Sequence, residues 1–225
     1  MQIAISTASL HPAMPAGMTE PHAALRGEGR AMGSARSYGK DEEVYGEGDK
    51  ASWYFKVVSG VVRTCKILSD GRRQIDAFHV AGDIFGIERG ETYRCSAEAV
   101  GEATVIAYRR CSLEALAASD SVLARQVVAT TLLSLERAQD HMILLGRKSA
   151  AEKVATFLLA MAERVHEDAI ELPMSRSDIA DYLGLTIETV SRTLTQLERD
   201  AVIALPTARR TIVLRNKGAL RRLNA

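Results

Sequence analysis

Apolar and polar residues alternate in short runs from residue 36 to residue 110, and glycine-containing turns separate these runs. Alternation of this period predicts β-strands, and many short strands at even spacing favour a small antiparallel barrel or roll. Ser59-Gly60 and Asp70-Gly71 are typical hairpin turns, so each is expected to join two paired strands. The predicted strands are Val44–Tyr45, Trp53–Val58, Val61–Leu68, Gln74–Phe78, Cys95–Val100 and Ala103–Tyr108.

After residue 120 the apolar period becomes helical, and residues 122–145 form one long predicted helix without glycine or proline. Along this helix six positions repeat at steps of three and four, which is a heptad pattern that favours a second identical helix alongside. Packing of the same positions against the protein's own roll is the alternative interpretation. The predicted dimer seam consists of Val128, Thr131, Leu135, Ala138, Met142 and Leu145.

The next segments predict a helix from Ala150 to His166 and then two helices joined by a tight turn between residues 175 and 199. Gly184 ends the first helix of this pair where the backbone must turn left-handed, a conformation that glycine adopts without strain. Thr186 is a good N-cap for the second helix. The pattern therefore predicts a helix-turn-helix.

The second helix of the pair leaves a polar face exposed near its N-terminus, at Ile187, Glu188, Ser191 and Arg192. A recognition helix presents such positions to base edges in the major groove. Arginine can donate two hydrogen bonds to guanine, and glutamate can accept one from cytosine. We therefore predict that this helix reads DNA, against the alternative of an ordinary helical hairpin with a polar face.

Two short strands, Val202–Leu205 and Thr211–Leu214, follow the second helix and predict a wing. Residues 172–225 hold nine Lys and Arg against five Asp and Glu, a net charge of +4, whereas the rest of the chain has a net charge of −3. This asymmetry indicates that the basic end meets a polyanion. The basic residues suited to phosphate contact are Arg209, Arg210, Arg215, Lys217, Arg221 and Arg222, although a solvated tail would also explain the last three.

Other function classes find little support in the sequence. Neither a run long enough to cross a membrane nor a secretory leader is present, so a cytoplasmic location is expected. The five histidines are scattered without metal-ligand spacing, and paired carboxylates or a Ser/His/Asp set are lacking, so we expect neither an enzyme nor a metal site.

The order of these elements resembles the CRP/FNR family of bacterial transcription regulators, and within it the FixK-type branch. The most specific stretches are Leu172–Arg192 and Ile212–Asn216. The resemblance implies an α+β fold in four parts: a mobile N-terminal tail over residues 1–35, an antiparallel β-roll similar to cyclic-nucleotide-binding domains over 36–120, a dimerisation helix over 121–147, and a winged helix-turn-helix over 148–225.

The same resemblance implies a homodimer on a double-stranded DNA palindrome of the TTGAT-N4-ATCAA type, acting as an activator in microaerobic and nitrogen-fixation-associated gene control. It assigns Arg192 to the guanine of each half-site and Glu188 to an amino group on the same or the paired strand. Ser191 and Ile187 would lie near a thymine methyl group and adjacent base edges. The implied phosphate contacts are Ser175, Arg176, Ser177 and Thr189. RNA polymerase is the further implied partner, with the hairpin Ser69–Arg73 as the candidate contact.

Two departures from the family bear on effectors. Relatives that bind cyclic AMP carry a glutamate and an arginine in the roll, where this chain has Ile87 and Cys95, and Arg94 is expected to point to the opposite face of a strand. Relatives that hold an iron–sulfur cluster have N-terminal cysteines that this chain lacks, and three scattered thiols cannot supply four ligands.

We therefore expect no cofactor, with control through expression level, turnover or thiol oxidation. All three thiols (Cys65, Cys95 and Cys111) are nevertheless expected to be inert and buried. The alternative is a regulator of the same fold that is gated by haem or another small molecule in the roll. His79, the only histidine there, would be the candidate ligand.

Overall fold

The structure is a computed structural model that describes residues 33–110, 121–165, 168–206 and 210–224. The predicted N-terminal tail lies outside these ranges up to residue 32. Its predicted boundary is wrong by two residues, because Ser34 and Ala35 belong to a strand that pairs with residues 106 and 107.

The described residues from 33 to 110 form eight strands in two antiparallel sheets, which together make the predicted roll. Their bounds are β1 Ser34–Tyr38, β2 Glu43–Tyr45, β3 Trp53–Ser59, β4 Val62–Ile67, β5 Arg73–His79, β6 Ile84–Phe85, β7 Ser96–Ala99 and β8 Ala103–Arg109. The first sheet has the order β1-β8-β3-β6 and the second has the order β2-β7-β4-β5. All six predicted strands are confirmed, whereas β1 and β6 were not predicted because neither alternates.

One of the two predicted hairpins is wrong. Asp70-Gly71 does join the paired strands β4 and β5, with the Gly71 amide donating to the Leu68 carbonyl at 2.9 Å. Gly60 instead carries the chain from β3 in the first sheet to β4 in the second. A Cβ on this glycine would lie 2.2 Å from the Glu102 carbonyl oxygen, so the close approach of two backbones, and not a hairpin, requires glycine there.

The second half of the described chain contains the predicted helices and the wing. The bounds are α1 Ser121–Arg147, α2 Ala150–Val165, β9 Ala169–Glu171, α3 Arg176–Leu183, α4 Ile187–Arg199, β10 Ile203–Ala204, β11 Thr211–Leu214 and α5 Lys217–Asn224. The wing sheet has the order β10-β11-β9. β9 was not predicted because three residues carry no period, and α5 was not predicted because its basic residues indicated a tail.

Two hydrophobic cores hold these elements. Four aromatic rings fill the roll: those of Tyr45 and Tyr93 stack with centroids 3.7 Å apart, and those of Phe55 and Phe85 stack at 5.3 Å. The second core is shared, because Phe78 of β5 packs against Phe157 of α2 at 6.3 Å. The roll and the helix-turn-helix are therefore joined by apolar contact.

His79 lies at the end of β5 beside this junction. Its ring stacks on Phe85 with centroids 5.0 Å apart, and its Nε2 lies 3.2 Å from the Thr64 hydroxyl oxygen. Burial lowers the pKa of His79 to about 4 against the opposing charge of Asp83, while Arg164 and Arg137 lower it further. The imidazole is therefore neutral at pH 7.

This half-buried, neutral histidine predicts a loss of stability in mild acid. In the unfolded chain His79 takes up a proton below about pH 6.5, whereas in the folded chain its imidazole stays neutral until about pH 4. The free energy of unfolding should therefore fall by about 2–3 kcal/mol between these two pH values. Urea unfolding of the wild type and of His79→Gln between pH 7 and 4 measures this term. The variant should lose less stability than the wild type, and parallel pH profiles would contradict the prediction.

Candidate nucleic-acid interface

Helix α3 begins with a complete capping box. The Ser175 hydroxyl accepts from the Asp178 amide at 3.1 Å, and the Asp178 carboxylate accepts from the Ser175 amide at 2.9 Å. The helix ends at Gly184, whose φ of 60° is left-handed as predicted. A short helix with both ends fixed in this way holds the following turn in one geometry.

Helix α4 begins at Thr186, whose hydroxyl accepts from the Thr189 amide at 3.2 Å. Its buried face consists of Val190, Leu194 and Leu197, as the pattern predicted. The four base-reading candidates all lie on the exposed face of the first two turns: Ile187, Glu188, Ser191 and Arg192. A guanidinium, a carboxylate, a hydroxyl and an apolar group are thus presented together, and these are groups that read base edges.

The phosphate candidates differ in their surroundings. Ser175 and Ser177 are exposed at the N-terminus of α3, whereas Thr189 is half-buried with its hydroxyl 3.0 Å from that of Thr186. Arg176 is half-buried, and its Nη1 is buried without a hydrogen-bond partner. Burial lowers the pKa of Arg176 from its usual value. Arg209 lies outside the described residues.

The basic residues near the C-terminus differ in whether an acidic residue already pairs with them. Arg210, Arg215, Arg221 and Arg222 are exposed. Lys217, in contrast, forms an ion pair with Asp168, which the linear charge pattern did not anticipate. Its charge is already compensated, so it is a weaker candidate for phosphate contact.

Both ends of α3 are held by residues outside the helix-turn-helix. At the N-terminal end, the Asp178 carboxylate accepts from Arg63 at 3.1 Å and from Arg73 at 2.6 Å, both in the roll. At the C-terminal end, Gln74 donates to the Asp181 carbonyl at 2.8 Å, and Lys153 of α2 donates to the Leu183 carbonyl at 3.0 Å. Sequence reasoning missed these contacts because each joins residues far apart in the chain.

Asp178 is charged in this environment. Burial raises its pKa, but the hydrogen bonds from Ser175 and the charges of Arg63 and Arg73 outweigh burial and hold the pKa below its usual value. The contact between the roll and α3 is therefore ionic at neutral pH.

The exposed apolar residues of α1 form a stripe on the side away from the roll. Val128, Leu132, Leu135, Met142 and Ile143 are between 53% and 68% exposed and make up this apolar stripe. Thr131 and Ala138 of the predicted seam are exposed beside it. Leu145 differs, because it packs against the shared core and its Cδ2 would lie 3.3 Å from a Cβ on Gly184. Leu132 and Ile143, which the heptad count omitted, belong to the stripe.

Stacked aromatic rings occupy the interior of the roll. The buried arginine of the described roll, Arg63, contacts Asp41, Glu98 and Asp178. Among the described residues, the buried side-chain polar atom without a partner is Arg176 Nη1, which lies outside the roll. The buried cation of the described roll therefore already has carboxylate partners.

The residues that were expected to depart from the family's effector-binding pattern can be located in the structure. Ile87 is exposed, and Arg94 extends into solvent, where its Nε lies 3.0 Å from the Glu88 carboxylate. Cys65 is buried, and burial is the main cause that raises its pKa to about 11. Burial is also the main cause that raises the pKa of the half-buried Cys95. Both therefore remain protonated thiols at neutral pH. Cys111 lies outside the described residues.

His79 is enclosed by protein groups and hydrogen-bonded to Thr64, which favours a structural histidine over a haem ligand. Across the described parts of the chain, no cluster of histidine, cysteine, aspartate and glutamate has the geometry of a metal site. None of the described helices is long and apolar enough to cross a bilayer.

Comparison with known proteins gives matches along most of the chain. A cyclic nucleotide-binding domain model matches residues 35–120, and a Crp-like helix-turn-helix domain model matches residues 152–223. The nitrogen fixation regulation protein FixK of Azorhizobium caulinodans is 50% identical over 87% of this chain and 81% of its own length. The protein of the same name from Bradyrhizobium diazoefficiens is 43% identical over 77% of this chain and 76% of its own length.

Among solved structures, that of FixK2 from Bradyrhizobium japonicum superposes with a TM-score of 0.81 at 50% identity, over 86% of this chain and 98% of the other. These matches confirm the predicted fold class, in which a cyclic-nucleotide-binding-like roll precedes a C-terminal helix-turn-helix.

The left-handed turn between α3 and α4 can be tested by substitution. Gly184→Ala should lower the free energy of unfolding by about 1–2 kcal/mol, because a Cβ is strained in left-handed backbone. Gly146→Ala is the control, since it lies in α1 with nothing near an added Cβ and should be neutral or stabilising by about 0.5–1 kcal/mol. Equal effects of the two substitutions on chemical denaturation would contradict this role of Gly184.

Proposed function

We propose a function from the family to which this chain belongs, the CRP/FNR family, in which it is a FixK-type transcription regulator with a helix-turn-helix domain. In this proposal two copies bind a DNA palindrome of the TTGAT-N4-ATCAA type and activate transcription without a bound effector. The observation that carries the proposal is the exposed face of α4, where Arg192 and Glu188 lie on adjacent turns above a fully buried apolar face.

The remaining base and phosphate contacts extend this interface. Ser191 and Ile187 meet neighbouring base edges, while the exposed Ser175 and Ser177 place the N-terminus of α3 against the backbone. Arg176 turns outward to a phosphate, which would give its Nη1 the partner that it lacks. Thr189 contacts a phosphate from the side of α4 that faces the DNA backbone. Arg209 contacts a phosphate from the wing.

Pairing through α1 sets the distance between the two recognition helices. The apolar stripe of α1 supports this pairing, because a second copy of the same stripe would remove these side chains from water. Two recognition helices then enter successive major grooves about 34 Å apart on one face of the duplex.

Independence from an effector is supported by the filled interior of the roll and by the ionic contacts that already hold α3. The level of the protein, set by synthesis and turnover, is then the controlling variable. The relatives named for regulation of nitrogen fixation support a role in that gene programme. For RNA polymerase the exposed tip of the β4–β5 hairpin, residues 69–72, is the contact, since Arg73 faces α3.

The test is fluorescence anisotropy on a labelled palindrome and on a scrambled duplex, at fixed salt and without added ligand. Arg192→Ala should weaken binding to the palindrome by about 1–3 kcal/mol per half-site and relax the preference for the guanine. Arg199→Ala is the matched control, because it removes the same charge from the exposed far end of α4. Equal binding of the wild type to both duplexes, or equal losses in both variants, would overturn the proposed reading.

The dimer has its own prediction. Leu135→Asp should weaken self-association by about tenfold or more, since it would bring two carboxylates into an apolar contact. DNA affinity should fall with it although α4 is unchanged. Ala129→Asp places the same charge on an exposed position of α1 outside the apolar stripe and should leave both properties intact. Sedimentation velocity and anisotropy measure the two effects, and an unaltered dimer in Leu135→Asp would rule out pairing through this stripe.

A further inference from the structure

Two arginines of the roll bind the first helix of the helix-turn-helix. Arg63 of β4 is 6% exposed in its side chain and directs Nη1 to Asp178 Oδ1 at 3.1 Å. Arg73 of β5 directs Nη2 to the same oxygen at 2.6 Å and Nε to Asp181 Oδ2 at 2.8 Å. Neither arginine belongs to the DNA-binding domain.

Asp178 and Asp181 lie three residues apart on α3, so Arg73 spans one helical turn between their carboxylates. Gln74 adds a hydrogen bond to the carbonyl end of the same helix, at Asp181 O. These contacts fix α3 against rotation about its own axis as well as against translation. A single hydrophobic contact between domains, being non-directional, would fix neither.

We propose that Arg63 and Arg73 are positioning residues for DNA recognition: by holding α3 on the roll, they set the orientation in which α4 is presented and hence the spacing of half-sites that a dimer accepts. This inference rests on the proposed function. It adds that the roll supports the helix-turn-helix in the orientation in which α4 is presented to DNA.

The electrostatic arrangement favours the same role. The carboxylate of Asp178 lies in the first turn of α3, beside Ser175 and Ser177, which are proposed to contact phosphate. Uncompensated, this negative charge would repel the DNA backbone. Arg63 and Arg73 compensate it from the side of the roll.

Arg73 is the better residue to change, because its side chain is 24% exposed and the substituted site can take up water. Arg73→Glu would face Asp178 and Asp181 with a third carboxylate and release α3 from the roll. Affinity should be measured on TTGAT/ATCAA palindromes with spacers of three, four, five and six base pairs, and on an isolated half-site. We expect the variant to lose roughly tenfold in affinity for the preferred spacer, with a flattened spacer profile and near-unchanged binding to the half-site.

Arg72→Glu is the matched control. It makes the same change of charge at the adjacent residue, which is 78% exposed and pairs with Asp70 inside its own hairpin. Any general loss of electrostatic attraction to DNA therefore appears equally in both variants. Arg73→Glu combined with Asp181→Arg restores both the ion pair and the net charge, and should recover the spacer profile in large part.

The outcomes separate this inference from the proposed function. A wild type without preference for the palindrome would overturn the proposed function itself. A wild type that prefers one spacer, together with an Arg73→Glu variant that keeps the same profile, would overturn only the positioning role. If Arg73→Glu does not fold, as judged by thermal unfolding, Arg73→Gln provides the same test, and a wild-type profile in that variant would equally overturn the role.

Discussion

The carboxylate of Asp178 joins the two halves of this molecule. Oδ2 closes the capping box with Ser175, and Oδ1 accepts from Arg63 and Arg73, so both oxygens are satisfied inside one junction. A buried ion pair stabilises little by itself, but removal of one partner leaves an uncompensated charge and costs about 3–5 kcal/mol. Helix α3 therefore cannot leave the roll without exposing or stranding several charges at once. The proposed positioning role rests on that attachment, because α4 follows α3 directly across the turn at Gly184.

The sequence was informative where the controlling interaction is local. Gly184 and Thr186 mark the turn because a left-handed residue and a helix cap are properties of single positions, and the apolar steps of α4 follow the helical period. It was misleading at Gly60, where the local hairpin signal could not reveal that the chain passes between sheets. It was silent on the contact of Arg63 with Asp178, since these residues are 115 positions apart and a charge pattern does not identify its distant partner. Leu145 fits the heptad but faces its own core, because a period alone does not say which neighbour a helix face meets.

The roll has the fold of a cyclic nucleotide-binding domain, and the role proposed for it in this chain is structural. Tyr45, Tyr93, Phe55 and Phe85 occupy the interior in stacked contact, while Ile87 and Cys95 stand where binding relatives carry charged or polar ligands. The one buried arginine of the described roll is turned outward and pairs with a carboxylate of the helix-turn-helix. The proposed role of the roll, to orient its neighbour, is therefore argued from that contact and not from the fold.

The apolar stripe of α1 has a consequence for how such a regulator responds to its own abundance. Pairing of two identical chains is a second-order process, so when monomers predominate the concentration of dimer rises with the square of the total. A doubling of synthesis would then give about a fourfold increase in the dimer, the species proposed to occupy a palindrome. Val128, Leu132 and Leu135, left exposed on the single chain, would thus convert a gradual change in protein level into a steep change in occupancy, by mass action alone.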